Sequence, residues 1–445
     1  TMGGGIMQMI VTGKQNQYIT GNPETTHFKA VYFRHTNFAM ESVPCIFNNS
    51  VSNNSESTVR ATIQRSGDLV SGAHIEFEIK REQTGNDITG GTYINWTNAT
   101  GYALLKEISF DIGSQVIDKH YSEWFDIWNE LTDVNNSEHI MVNKHSAKEL
   151  YLKSSNSSVV QNTDSLKCYV PLQFWFCRNP GLAFPLISLQ NNKAYINATF
   201  RNPYTLINTD HTSGNSGVGT ITYTQGPELY IDYIYLDEKE RRSFATKDHQ
   251  YLIDTLQYSG ISDLKNSHEI NFNNPIKELI WVTRNKNVST ELNLSTISSN
   301  ADADAYSNNK SSLNKNNDYF NYMSELVTSS PRIEYLYGSE IHEPFSEAEL
   351  FINGNSRFNK RKATYFRTIQ PLNHHSRVPT KHIYCYSFAL TPEKHQPSGI
   401  CNFSELKKVE LKLYNPSDNS EILIFGLNYN LLRFKNGMAG LAYHT

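Results

Sequence analysis

Tyr384-Cys385-Tyr386-Ser387-Phe388-Ala389-Leu390-Thr391-Pro392, continuing through Glu393 and His395 to Pro397-Ser398-Gly399 and Asn402-Phe403-Ser404, is the stretch from which the architecture can be read. Tyr384, Tyr386, Phe388 and Leu390 alternate with smaller residues, the period of a half-buried strand. Thr391-Pro392 stops that strand, because proline has no N–H to give a ladder. A polar loop follows, and Val409, Leu411 and Leu413 alternate again as far as Asn415-Pro416.

The same plan occurs earlier in the chain. Val170 to Pro203 opens on an aromatic run through Phe174, Trp175 and Phe176, read as the matching strand, and breaks at Asn179-Pro180-Gly181. It alternates at Ile196, Ala198 and Phe200 and ends at Asn202-Pro203, which lies 213 residues before Asn415-Pro416. A second pair repeats at an offset of 241: Phe110-Asp111-Ile112-Gly113, followed by Ile117, Lys119, Trp124 and Phe125, against Phe351-Ile352-Asn353-Gly354, followed by Phe358, Lys360, Tyr365 and Phe366. Asn353-Gly354 is a strong hairpin signal, since both residue types tolerate positive φ. Two β modules with like cores and unlike loops follow from these offsets.

The 445 residues suit two or three domains, and 38 % hydrophobic content with 26 Tyr and 22 Phe favours strands and real cores. A formal net charge of −4 argues against a protein that coats nucleic acid, which needs a basic face. The five cysteines, Cys45, Cys168, Cys177, Cys385 and Cys401, are odd in number and include no Cys-x-x-Cys, so they read as unpaired buried thiols. No apolar run reaches the ~18–20 residues of a membrane span, and no signal peptide is expected.

Along the chain, residues 1–26 read as an extended arm and 27–236 as the first module, opening with a strand-like run from His27 to Phe38. Glu123 to Leu131 carries a helical apolar pattern in Trp124, Phe125, Ile127, Trp128 and Leu131. Residues 237–249 form a linker, expected to be helical because its acidic residues precede its basic ones. Residues 250–445 form the second module with a C-terminal tail. Two polar loops, 133–167 and 285–330, interrupt the modules, and the second has no hydrophobic period of its own. Many short strands with few helices favour an all-β chain of two tandem eight-stranded antiparallel jelly rolls.

At this level of detail the chain resembles the major capsid proteins of nucleocytoplasmic large DNA viruses, the phycodnaviruses, iridoviruses and mimivirus-like giants. The matching text includes Gly4-Gly5-Ile6-Met7-Gln8, Tyr18-Ile19-Thr20-Gly21-Asn22-Pro23, Arg34-His35-Thr36-Asn37-Phe38, Ser66-Gly67-Asp68-Leu69 and Ile117-Asp118-Lys119-His120-Tyr121. It continues with Trp128-Asn129-Glu130-Leu131, Asn353-Gly354, Tyr365-Phe366, Gln370-Pro371, His374-His375, Asn402-Phe403-Ser404 and Gly437 to Tyr443. The resemblance implies a double jelly roll, a homotrimeric capsomer of pseudo-hexagonal outline and an icosahedral shell. It implies partners in the chain itself, neighbouring capsomers, minor capsid and penton proteins and the inner viral membrane, with no direct nucleic-acid contact. It places the protein in the virion capsid, assembled in the host cytoplasm.

Candidate sites are few. His374-His375, with His382 and His395 nearby in sequence, invites a metal reading, but no acidic or cysteine partner sits at ligand spacing, so no metal, cofactor or catalytic residue is expected. Arg357 with Lys360-Arg361-Lys362 reads as a solvated loop or subunit contact rather than a nucleic-acid site. Asn-x-Ser/Thr sequons are frequent; Asn287, Asn293 and Asn309, in the long polar loop, are the best candidates for glycosylation, and Asn197, inside an expected strand, is a poor one. A structural subunit without catalysis is therefore the reading. A glycan-binding jelly-roll protein or adhesin is the alternative, and an enzyme on a metal-binding jelly roll would need a His/Glu triad that the sequence does not display.

Overall fold

A computed structural model describes residues 4–82, 94–134, 138–144, 165–209, 219–286, 317–322 and 343–443. It divides the chain into two units, residues 1–38 and 39–445. In the first, short helices at Gly4–Ile10 and Gln17–Thr20 bury nothing, and Phe28, Tyr32 and Phe33 are almost fully exposed. The run from His27, expected as a strand, is irregular until Phe38, because none of its aromatic residues finds a second layer to pack on.

The second unit contains two sandwiches. The first is built from β1 (Phe38–Cys45), β2 (Ser57–Thr62), β3 (Leu69–Glu82), β4 (Leu105–Ile112), β5 (Gln115–Tyr121), β6 (Leu166–Pro171), β7 (Ala194–Phe200) and β8 (Thr220–Leu236). Its sheets run β1-β8-β3-β6 and β2-β7-β4-β5. The other is built from β9 (His249–Asp263), β10 (Ser267–Glu269), β11 (Pro275–Asn285), β12 (Glu347–Ile352), β13 (Asn355–Ser356), β14 (Ile383–Ser387), β15 (Val409–Tyr414) and β16 (Ser420–Lys435). Its sheets run β9-β16-β11-β14 and β10-β15-β12-β13. Both modules thus have the order 1-8-3-6 over 2-7-4-5, the connectivity of a jelly roll.

The sequence repeats map onto this plan. The 213-residue offset relates β6 and β7 to β14 and β15, and the 241-residue offset relates the β4–β5 hairpin to β12–β13. Asn353 (φ 50°) and Gly354 (φ 83°) turn the second hairpin, both at positive φ as a type I′ turn requires. The aromatic run at Phe174 differs from its expected form. The strand lies before it, at Leu166–Pro171, and Trp175–Arg178 is a helical turn. A strand with one wet face cannot bury three consecutive residues. The turn does so by placing the rings of Phe174, Trp175 and Phe176, together with Phe184, 5.1–5.9 Å from the ring of Phe110.

Where β3 alternates buried and half-buried residues along most of its length, β11 is buried throughout after Pro275. Leu279 and Trp281 of β11, with Ile422 and Ile424 of β16, point into the second sandwich. Ile280, Val282, Leu423 and Phe425 point the other way and join the apolar core of the first. The β9-β16-β11-β14 sheet is therefore an inner layer for both modules. The loop read as core-free also contributes: Tyr319, Phe320 and Tyr322 are buried, with the Tyr319 hydroxyl donating to Thr205 O at 2.9 Å. Three aromatic residues within four were enough to dock that short piece, whatever the polarity of the rest.

All five cysteines are free thiols. Burial raises each of them, Cys168, Cys177 and Cys385 to about 12. Since the thiolate is the reactive form, the native protein at neutral pH is expected to react slowly with a disulfide reagent, half-exposed Cys401 fastest. All five should react at once in denaturant without reductant. Fewer than five would reveal a bridge.

Candidate functional site

The helix α1 (Ser122–Thr132) lies between the two modules. Its apolar stripe, Trp124, Ile127, Trp128 and Leu131, is the one visible in the sequence, at helical spacing. Its acidic stripe, Glu123, Asp126 and Glu130, is buried too. Each acid meets a base across the joint. The Arg284 guanidinium on β11 donates to Glu123 at 2.9 Å and to Glu421 of β16 at 2.6 Å. Lys381 lies 2.7 Å from Asp126, and Lys144 lies 2.7 Å from Glu130. Arg377 approaches Glu130 at 3.7 Å, while the Thr380 hydroxyl donates to it at 3.1 Å.

Burial alone would raise Glu123 and Glu130, but the facing cations win. Arg284 and Arg201 hold Glu123 below the ordinary carboxylate range, and Lys144 and Lys381 hold Glu130 down at about 2. Lys144 is raised in turn, its desolvation outweighed by Asp126 and Glu130. A carboxylate depressed on folding contributes stability that is complete above its ordinary value near 4.5 and lost as pH falls toward the folded value. The joint therefore holds through mild acid and weakens as pH approaches 2.

The histidines separate. His374 is half-buried, its Nδ1 3.0 Å from Leu390 O. His382 is buried, and His395 lies in a loop whose carbonyl accepts from Tyr429. His375 alone enters a cluster. It follows α3 (Gln370–His374); its Nε2 lies 2.5 Å from Glu278 of β11 and its Nδ1 2.9 Å from Glu393. The Cys385 thiol of β14 lies beside both Glu278 and His375. Neighbouring spacing offered His375 no such partner; the β11–β14 pairing, with Ile280 opposite Cys385 and Glu278 opposite Ser387, brings them together from across the chain. Burial works to lower the His375 imidazolium, but the Glu278 charge and hydrogen bonds to Cys385, Glu278 and Glu393 raise it well above its ordinary value. Cysteine, histidine and carboxylate together resemble a nucleophilic triad in composition only. The side chains of His375 and Glu278 are fully buried, and Cys385 is held as a thiol, so no substrate reaches them.

The basic run is exposed. Lys360 pairs with Glu347 at 3.4 Å and lies over the Tyr414 ring, and Arg361 lies over Tyr365, so these side chains are engaged along the β12 edge. Asn197 is bonded to Ser109 and Asp111, which leaves its amide unfit for modification. Asn287, Asn293 and Asn309 lie outside the described residues. The interior of the second sandwich, between Ile270, Trp281, Leu350, Phe358 and Leu411, leaves no room for a water molecule, and so none for a sugar.

Two sequence families match this chain. One, described as the major capsid protein N-terminus, covers residues 26–237, and one, described as the large eukaryotic DNA virus major capsid protein, covers residues 240–440. The major capsid protein of Pyramimonas orientalis virus is 35 % identical over 468 residues, covering 99 % of this chain and all of that protein. That of Paramecium bursaria Chlorella virus 1 is 32 % identical over 478 residues, with the same coverage. Among solved structures, the quasi-atomic PBCV-1 virus capsid superposes with a TM-score of 0.69 at 28 % identity, covering 94 % of this chain and 100 % of that one. The Faustovirus major capsid protein reaches 0.67 at 13 % identity, over 95 % and 94 %, a likeness of fold.

Proposed function

The chain belongs to the large eukaryotic DNA virus major capsid protein family, and from that premise we propose that three copies form a capsomer of pseudo-hexagonal outline. The protein is a structural subunit of a viral capsid, and its relatives are not enzymes. The observation that carries the trimer is the repeated strand order. One chain presents two modules of like topology, so three chains around an axis present six, which tile a hexagonal net.

The proposed division is an arm over residues 1–26, a jelly roll over 27–236, a linker over 237–249 and a second jelly roll over 250–445. In support, α2 (Glu238–Thr246) is capped by Asp237, whose carboxylate accepts from Lys239 N at 2.6 Å. It is tied to the first module by Arg241 to Asp68 at 2.9 Å. Minor capsid and penton proteins, and a membrane on the inner side, are the further partners proposed, with assembly in the host cytoplasm. Asn287, Asn293 and Asn309 are proposed as the places for any glycan.

Light scattering of the purified protein tests the assembly. A stable particle of three times 50.8 kDa at micromolar concentration is expected, because persistent subunit interfaces are large and apolar. A folded monomer of 50.8 kDa would refute the trimer.

A further inference from the structure

We propose that Glu278, His375 and Cys385 form a structural zinc site that fastens α3 to the inner sheet. A carboxylate oxygen of Glu278, a ring nitrogen of His375 and Cys385 Sγ all lie within 4.8 Å of one another. Zinc bonds of ~2.0–2.3 Å set tetrahedral ligand atoms roughly 3.3–3.8 Å apart, so the three need only small shifts to take an ion between them. Thiolate, imidazole and carboxylate together are the donor set of a borderline-soft cation, which favours zinc over magnesium or calcium.

Two independent observations point to an ion rather than to a simple ion pair. Glu278 Oε2 is buried and accepts no hydrogen bond of acceptable geometry, an expensive state for a carboxylate oxygen. Coordination through Oε2 would satisfy it, with His375 and Cys385 as the other two protein ligands. Furthermore, the far nitrogen of His375 is already held. Nδ1 faces Glu393 at 2.9 Å, and Glu393 is fixed by the Ser376 backbone N–H at 2.8 Å. A carboxylate gripping the distal N–H of a ligating histidine is the usual outer support of a metal site, setting the ring's tautomer and aim.

Binding exchanges protons for the ion. Zinc displaces the thiol proton of Cys385 and the Nε2 proton of His375, and both leave to solvent, while Glu278 binds as a carboxylate. The ion then links β11, β14 and the end of α3, the places where these residues stand.

The test uses the assembled protein, purified under reductant, stripped with chelator and titrated with Zn2+ or Co2+ as probe. One ion per chain is expected, with Co2+ giving the near-ultraviolet charge-transfer band of a thiolate ligand. Cys385→Ser should abolish that band, His375→Gln should weaken uptake at least tenfold, and chelator should lower the melting temperature of the parent alone. The parent needs no substitution to refute the proposal: a folded protein that takes up no Zn2+, or binds Co2+ without the thiolate band, leaves the cluster a buried ion pair only. Uptake and band unchanged in Cys385→Ser would equally overturn it.

Discussion

Arg284→Met should destabilise the subunit by about 3–5 kcal/mol, the cost of removing one partner from a buried charge group. The guanidinium is the sole link between Glu123 of α1 and Glu421 of β16 among the described contacts of those two acids, and its side chain is 5 % exposed. Methionine fills similar volume, so packing is nearly kept and the loss is electrostatic. Two carboxylates would then share one low-dielectric pocket with no cation between them, and Glu123 would shift up toward protonation. The urea midpoint should fall accordingly. Adding Glu123→Gln and Glu421→Gln to Arg284→Met should restore much of the loss, because the apolar or neutral replacement of a whole buried charge group is far milder than its breakage. A midpoint within experimental error of the parent for the single variant would show that the triad contributes nothing.

Trp124→Ala is the second large expectation. The indole is fully buried, 5.4 Å from Trp128 within α1 and 5.7 Å from Phe425 across the joint. Truncating a buried tryptophan leaves a cavity and typically costs about 3–5 kcal/mol. Because the cavity opens where the two jelly rolls meet, the effect should extend to their cooperativity. The parent should unfold in one transition, with fluorescence and circular dichroism coincident. In Trp124→Ala the two signals should separate. Trp281, inside the second sandwich, would report the later step. Coincident curves with an unchanged midpoint would show that α1 does not couple the modules.

Much of this architecture is legible in the residues, for a physical reason. A strand with one dry face must alternate, so β3 and β15 announce themselves, and a hairpin at positive φ must carry residues such as Asn353-Gly354. The duplicated spacing then fixes which strands correspond. What local pattern does not carry is the second face of β11. Its Glu278 and Arg284 on one face and Lys277 on the other are polar residues of the kind a strand turns to water, yet each is buried against a partner. Arg284 meets Glu123 from 161 residues away and Lys381 meets Asp126 from 255. Charges placed by tertiary contact leave no period to detect. The histidine cluster was hidden in the same way, since Glu278 stands 97 residues from His375. The docked piece at Tyr319 was hidden by averaging: a few rings were diluted by dozens of polar neighbours.

The inner sheet shared by the two sandwiches also limits how such chains can diverge and recombine. Half of the joint is encoded near residues 122–144 and half near 284, 377–381 and 421. A hybrid that takes its first jelly roll from one virus and its second from another inherits Glu123, Asp126 and Glu130 from one parent and their partners Arg284, Arg377 and Lys381 from the other. Mismatches there are not softened by water. Exchange between relatives is therefore expected to succeed in the surface loops and to fail at the module boundary, even though that boundary looks like the natural place to cut. Two halves of like topology thereby behave as a single unit of inheritance.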